Sequence, residues 1–541
     1  DFEAAVSDVL SWRGVSYPLP AEGVAAVTVG LNVASEVAVD IESDLKGVSV
    51  DLPLPWGKSV EARAPLKVSW RDREWAAWEV FWFGRASAIT DTPEAGTISA
   101  ILDVTPRTRP LQWPLLAPEP GLRVTGFLPS LDPSDWQDTL ALFSMEAGPT
   151  GPTVTIDALK IGRLLWRGEE LGDLSLNANL EGETLYAGFE LPWLRGKLQQ
   201  FTSAPVSDSA AALRASLERE LRIEYLDLEG LPQVSGQWAE RAAPPDPQGA
   251  LGAWMRQLHV SVEGIHRADT KLGDLDLAVD YVEGEGWQFR EVTGNFLGIN
   301  WLPKTRMIWQ SSEEGESTML SLAAELQDVA TSLALIGVAP LVETERGRLD
   351  AEWQWPGSPT DFELTAMSGD MELEMETGSF VTANAEATGA LRLLSLLNLS
   401  GLFRRANMNQ LFDPGVTFDS AGGSFNFSQG DLRIPDFSIE GSGGYFTFSS
   451  DIDLVAETLD GELVVTLPLV ENIPWVAALA GGLPVAAGTY LISKVFEDQV
   501  NQLSSGVYAV SGDLDNPEVA FERVFDAKSQ LPRGEDQAVE D

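Results

Sequence analysis

The stretch SFNFSQGDLRIPDFSIEGSGGYFTFSSDIDL, Ser424 to Leu454, decides how the chain is read. Phe425 and Phe427 step by two, Phe437 and Ile439 do the same, and Phe446, Phe448, Ile452 and Leu454 keep an even spacing. Successive side chains of an extended chain point to opposite faces, so this period gathers the apolar residues on one face and leaves Asn, Ser, Thr and Asp on the other. QGD and GSGG fall between the runs, where tight turns need Gly or Asp. The pattern predicts a meander of antiparallel strands, each with one oily face.

Outward from there the same rhythm recurs. MELEME sets Met371, Leu373 and Met375 against Glu372, Glu374 and Glu376. Far upstream, Val27, Val29, Leu31 and Val33, then Val37, Val39 and Ile41, then Val48, Val50 and Leu52 step by two. An internal echo joins ELGDLSLNANLEGE, from Glu170, to KLGDLDLAVDYVEGE, from Lys271, as expected of a sheet lengthened by repeated modules.

Helical spacing interrupts the strands in the opening residues, at Ser134 to Glu146, Ser209 to Leu221 and Leu322 to Gly337, and from Trp475 onward. In RLLSLLNLSGLFRRANMNQLF, Arg392 to Phe412, the residues Leu393, Leu394, Leu397, Leu402 and Phe403 bunch on one helical side. With Trp475 and Leu479 they are the expected helical cap over the end of the sheet.

The fold class expected is mainly β: an elongated, curled, groove-like and repetitive antiparallel sheet with a few short helices, capped by helices near the C-terminus. The expected segments are a β-groove module at 1–150, a repeat with a helical insertion at 151–250, a second repeat at 251–345, a C-terminal region at 346–525 and an acidic tail at 526–541. So few helices cannot cover so much sheet, which leaves an apolar trough. Its candidate lining is Met371, Leu373, Met375, Phe425, Phe427, Phe437, Ile439, Phe446, Phe448, Ile452 and Leu454.

Composition narrows the chemistry. The 541 residues carry a formal net charge of -46, which repels nucleic acid, while 44% apolar residues and 18 Trp supply a buried surface. Cysteine is absent, and the two histidines, His259 and His266, lack the spacing of a helical metal pair. Neither a nucleophile elbow nor a phosphate loop occurs, so no enzyme, metal or cofactor is expected. From Ile473 to Ser493 no charge occurs, leaving core packing, membrane contact and a span as open readings, with Gly481, Gly482 and Pro484 against a continuous helix. The start, DFEAAVSDVL, lacks Met, and a longer protein with its anchor upstream is expected.

In order and spacing, EWQWPGSPTDFEL, ALRLLSLLNLSGLFRR, FDPGVTFDSAGGSFNFSQGDLRI, DIDLVAETLDGELVVTLPL and YAVSGDLDNPEV resemble the C-terminal region of the YhdP proteins, large AsmA-like proteins of Gram-negative bacteria. GFLPSLDPSDWQ and the LGDL modules resemble the same family. The resemblance implies a periplasmic body held to the inner membrane by a missing N-terminal anchor, carrying phospholipid acyl chains between inner and outer membranes. It also implies an outer-membrane contact, lipid or protein, at the C-terminal end. The alternative is a periplasmic assembly factor that binds outer-membrane proteins in transit by strand addition. A third reading, a carbohydrate-active enzyme, would need a close acid pair that nothing in the sequence singles out.

Overall fold

Alternation becomes a hydrogen-bonded ladder in the computed structural model. It describes residues 2–5, 20–33, 37–72, 76–91, 99–113, 119–136, 153–203, 216–231, 247, 250–312, 315–335, 342–344, 346–359, 361–380, 416–441, 444–466, 505–514 and 517–525. The fold is mainly β. Among the described residues the helical pieces are Ala250–Met255, Val329–Leu335 and the 3-10 turn Pro133–Trp136. None is long and apolar enough to cross a membrane.

The chain divides into two compact units, Asp1–Gln237 with Gln257–Lys271, and Trp238–Arg256 with Leu272–Asp541. In the first, Ala21–Asn32, Ala38–Ser43, Leu66–Asp72, Ala76–Trp82, Ala86–Asp91 and Ser99–Asp103 pair antiparallel in succession. Gly121–Leu128 then lies parallel to both Ser99–Asp103 and Val154–Trp166. From Val154–Trp166 the ladder runs antiparallel through Glu169–Glu181, Thr184–Leu191, Leu194–Ser203 and Ser216–Asp227, and ends with a parallel partner, Leu258–Arg267. These three parallel pairings correct the expectation of a wholly antiparallel sheet. A parallel pair needs a long crossover, and the connections at 104–120, 129–153 and 228–257 provide it.

The second unit pairs antiparallel throughout its described ladder. Gly315–Leu326 receives Ile299–Trp301 and Arg306–Ser312 on one side and Gly347–Pro356 on the other. Ser368–Phe380, Val416–Ser428, Asp431–Gly441, Gly444–Asp453, Thr458–Thr466, Ser505–Asp513 and Glu518–Phe525 follow in order.

The LGDL echo has a structural counterpart. Each copy enters its strand through a tight turn with a residue at positive φ, Arg167 at 52° and Ala268 at 50°, and each holds its LGDL glycine there too, Gly172 at 113° and Gly273 at 146°. Glycine tolerates that region because it has no Cβ. Each turn is also clasped by an aspartate from earlier in the chain, one just before the 3-10 turn Pro133–Trp136 and one at the end of the strand Ser216–Asp227. Asp132 accepts from the Arg167 and Gly168 amides at 3.2 and 2.8 Å, and Asp227 accepts from the Ala268 amide at 3.1 Å.

Several expected helices are strands. From Ser216 onward the third expected helix is the strand Ser216–Asp227, held on both sides by neighbours that override the helix preference of its Leu, Glu and Arg. Leu322 to Leu326 continue a strand in which Leu320, Leu322, Ala324 and Leu326 step by two. Helix begins only after Asp328, which accepts from the Thr331 amide at 3.0 Å as an N-terminal cap. At the start of the chain Phe2–Ala5 is a strand paired with Ala21–Asn32. Of the second expected helix only residues 134–136 are described, and they belong to the single 3-10 turn Pro133–Trp136.

Candidate functional site

Cross-strand register converts the alternating pattern into rows that run along the ladder. In the first unit one row passes from Val29 through Ile41, Val68, Val80, Ala88, Leu102 and Val124 to Ile156. It continues through Ala178, Ala187, Leu198 and Leu221 to Val260. No polar residue interrupts it. Beyond its exposed first member, Val29, this row is half-buried at each step, neither sealed into a core nor open to water. Its margin turns exposed at the Ala21–Asn32 strand, where Leu31 keeps 67% of its surface in solvent.

Equivalent rows cross the second unit. One takes Val279, Phe289, Met307, Leu320, Trp353, Gly369, Phe427, Leu432, Ile452, Leu459 and Gly512. Another takes Trp301, Ala324, Leu349, Leu373, Gly423, Phe437, Phe448, Leu463, Tyr508 and Phe521. A third brings Met375, Ala421, Ile439, Phe446 and Val465 into line.

Ten of the eleven trough candidates of the sequence therefore fall on one strand face of one unit. Met375, Phe425, Phe427, Phe437, Ile439, Phe446, Phe448 and Ile452 are buried in a single apolar cluster, with Met371, Leu373 and Leu454 packed against it. Leu454 sits in the turn after its strand and not within the alternation. Burial is nearly complete among the C-terminal strands, where Phe437 is 1% and Leu463 0% exposed. This end is a closed core. Beside the row through Met375 a cleft of about 970 Å³ opens, lined by Leu326, Gly347, Met375, Ala421 and Gly423 together with Glu374 and Glu376. The cap candidates Leu393, Leu394, Leu397, Leu402, Phe403, Trp475 and Leu479 lie outside the described residues.

The half-buried row of the first unit was missed as a candidate set. Its members come from short strands in which Ala, Val and Ser mix, so alternation within each strand is faint; only pairing between strands makes the row visible. Period-two spacing at Val27 to Val33 and Val37 to Ile41 was the available signal.

The opposite face is charged. Arg433 donates to Asp451 at 2.6 Å and that bond, with the aspartate's charge, raises the guanidinium pKa. Lys197 and Arg195 both reach Glu224, and the Lys197 hydrogen bond leads in holding that carboxyl below its ordinary value. Elsewhere acids face acids across strands: Asp350 opposes Glu372 and Glu352 opposes Asp370. Among the described residues no cluster of three or more His, Asp or Glu is placed to hold a metal ion.

A family model described as YhdP protein matches residues 21–519. The intermembrane phospholipid transporter YhdP of Escherichia coli (strain K12) is 24% identical over 213 residues, which cover 39% of this chain and 17% of that relative. With the match running through nearly all of both ladders, the chain belongs to the YhdP family.

Proposed function

We propose that this chain is a stretch of a periplasmic conduit along which phospholipids pass between inner and outer membranes, its apolar rows holding the acyl chains while headgroups stay in water. One observation carries the reading: the rows keep an apolar or glycine residue at every strand they cross. Neighbouring strands are about 4.8 Å apart, so a tail of about 20 Å lying across them touches roughly four. Withdrawing a methylene from water is worth about 0.8 kcal/mol, so exposing a tail of about 16 carbons costs on the order of 12 kcal/mol. Along a continuous row each step trades one oily neighbour for the next and that cost is never met. The family relative named as an intermembrane phospholipid transporter supports the same reading. An anchor in the inner membrane and a contact at the outer membrane belong to this proposal.

The test uses the half-buried row, with the thermal midpoint of each variant as the check that it folds. A photo-crosslinker at Leu102 should capture phospholipid in the parent chain, and Val80→Asp or Val68→Asp should cut capture severalfold in protein that still unfolds cooperatively. Undiminished capture by both folded variants would overturn the conduit.

A second reading, an assembly factor that holds outer-membrane proteins by strand addition, rests on Glu518–Phe525. In the described ladder this strand pairs on one side only, with Ser505–Asp513. Recovery of barrel protein without lipid would favour it.

A further inference from the structure

Two residues along each strand from the half-buried row of the first unit runs a second row on the same face. Leu122, Val154, Leu180, Leu185, Gln200 and Arg219 follow one another in it. On the far side of the half-buried row the face closes, with Leu159, Ile161 and Leu191 buried in a cluster against which Val124, Ile156 and Leu176 pack. The second row lies on the open side, where Leu180 keeps 38% of its surface in solvent. A single strand, Leu194–Ser203, spans the change: Leu194 packs on the closed cluster, Leu198 belongs to the half-buried row and Gln200 to the open one.

Arg219 is out of character in this row. SLERELRIEYLD alternates, so Arg219 shares its face with Leu221 and Ile223, while Glu218, Glu220 and Arg222 point the other way. On that outer face Arg222 is paired with acids, 3.2 Å from Glu220 and 3.5 Å from Glu263. On the inner face the Arg219 Nε donates to the Gln200 amide oxygen at 3.0 Å, and buried Leu258 stands opposite on the next strand. The guanidinium is half-buried there, and desolvation lowers its pKa. A leucine would hold the same place at less cost, because a cation on an apolar face gives up hydration. That cost is recovered when the passenger brings an anion to the same point.

A phospholipid brings one at a fixed depth, since its phosphate follows directly on the root of the tails. With tails laid over the half-buried row and toward the closed cluster, the phosphate falls on the open row. Guanidinium suits it: the planar fork donates to two phosphate oxygens at once, and the aliphatic stem lies along oily surface while the head reaches water.

We infer that Arg219, steadied by Gln200, is a phosphate-binding position on the open margin of the first unit's apolar face, and that lipids lie there with headgroups toward Gln200 and Arg219 and tails toward Leu159 and Leu191. The inference rests on the conduit reading and adds to it an orientation and a polar contact.

The experiment offers the chain two lipids with the same tails, one of them lacking phosphate. Vesicles of phosphatidylcholine mixed with diacylglycerol are equilibrated with the chain, and captured lipid is counted by native mass spectrometry against its share in the vesicle. The parent chain should favour the phospholipid on the order of tenfold, the scale of one charge-assisted hydrogen bond at a partly solvated site. Arg219→Gln should lose that preference and keep diacylglycerol capture, and Arg219→Lys should restore part of it. Phosphatidylcholine carrying a diazirine beside its phosphate locates the contact in the parent chain, where crosslinks should fall on Leu194–Ser203 and Ser216–Asp227 around Gln200 and Arg219. Crosslinks confined to other strands overturn the position without any variant having to fold, and so does a preference that survives in folded Arg219→Gln. Equal capture of both lipids by the parent chain overturns it and leaves the conduit standing; if inorganic phosphate then binds the parent and not Arg219→Gln, the site belongs to a free anion. Capture of neither lipid overturns the conduit reading on which the inference rests.

Discussion

Trp353 and Phe427 meet edge to face, ring centroids 6.4 Å apart, although a whole strand separates them. Gly369 stands between them in register, opposite both, and leaves open the space a side chain would take. A Cβ at Gly369 would come within 2.0 Å of the Glu352 carbonyl oxygen, and its φ of +134° is one that residues with a Cβ seldom adopt. Gly369→Val should therefore destabilise the second unit by about 2–3 kcal/mol, read as a lower denaturation midpoint. A midpoint equal to the parent's would mean that the backbone relaxes there.

The closed end of the second unit should respond as a core. Phe437 packs 6.0 Å from Phe425 and is 1% exposed. Phe437→Ala should cost about 3–5 kcal/mol. Val68→Ala, in the half-buried row of the first unit, should cost well under half of that. Chemical denaturation of both variants checks the contrast, and equal losses would contradict the difference in burial.

Acid should loosen the Asp132 clasp. Burial disfavours its charge, but hydrogen bonds from Ser134, Gly168 and Arg167 outweigh that and bring its pKa below the ordinary 3.8. A carboxyl depressed in the folded state contributes stability that is present above 3.8 and is lost as pH falls through its lower folded value. Asp132→Asn should weaken the clasp at neutral pH and flatten this acid dependence. Amide hydrogen exchange at Arg167 and Gly168 reports it.

At the alkaline end Tyr508 behaves oppositely. Burial pushes its phenol up to about 12 from 10.0, so the folded state favours the neutral ring. Stability from this group is complete below 10.0 and declines as pH rises toward about 12. Tyr508→Phe should show a smaller alkaline decline in thermal midpoint. An identical decline would place the titrating group elsewhere.

Opposed acids on the outer face predict a charge-swap gain. Glu372→Lys would face Asp350 across the strand pair and should raise stability by about 0.2–1 kcal/mol at low salt, with the gain shrinking as salt is added. A loss would show that Glu372 is already compensated.

Legibility of the sequence followed the strength of alternation. MELEME and the run from Ser424 to Leu454 declare their faces because each inward residue is large and each outward one polar, and the structure places them in one cluster. The strand Ser216–Asp227 was misread because Leu, Glu and Arg suit a helix equally well, and its state is settled by neighbours remote in sequence. Parallel pairing at Gly121–Leu128 left no local mark, since direction depends on where a crossover returns.

Burial at the C-terminal strands of the second unit has a mechanical meaning. Leu463 and Val465 of Thr458–Thr466 and Val510 of Ser505–Asp513 are each 0% exposed. Under the proposed conduit, no hydrocarbon tail touches these side chains until the strands around them are prised apart.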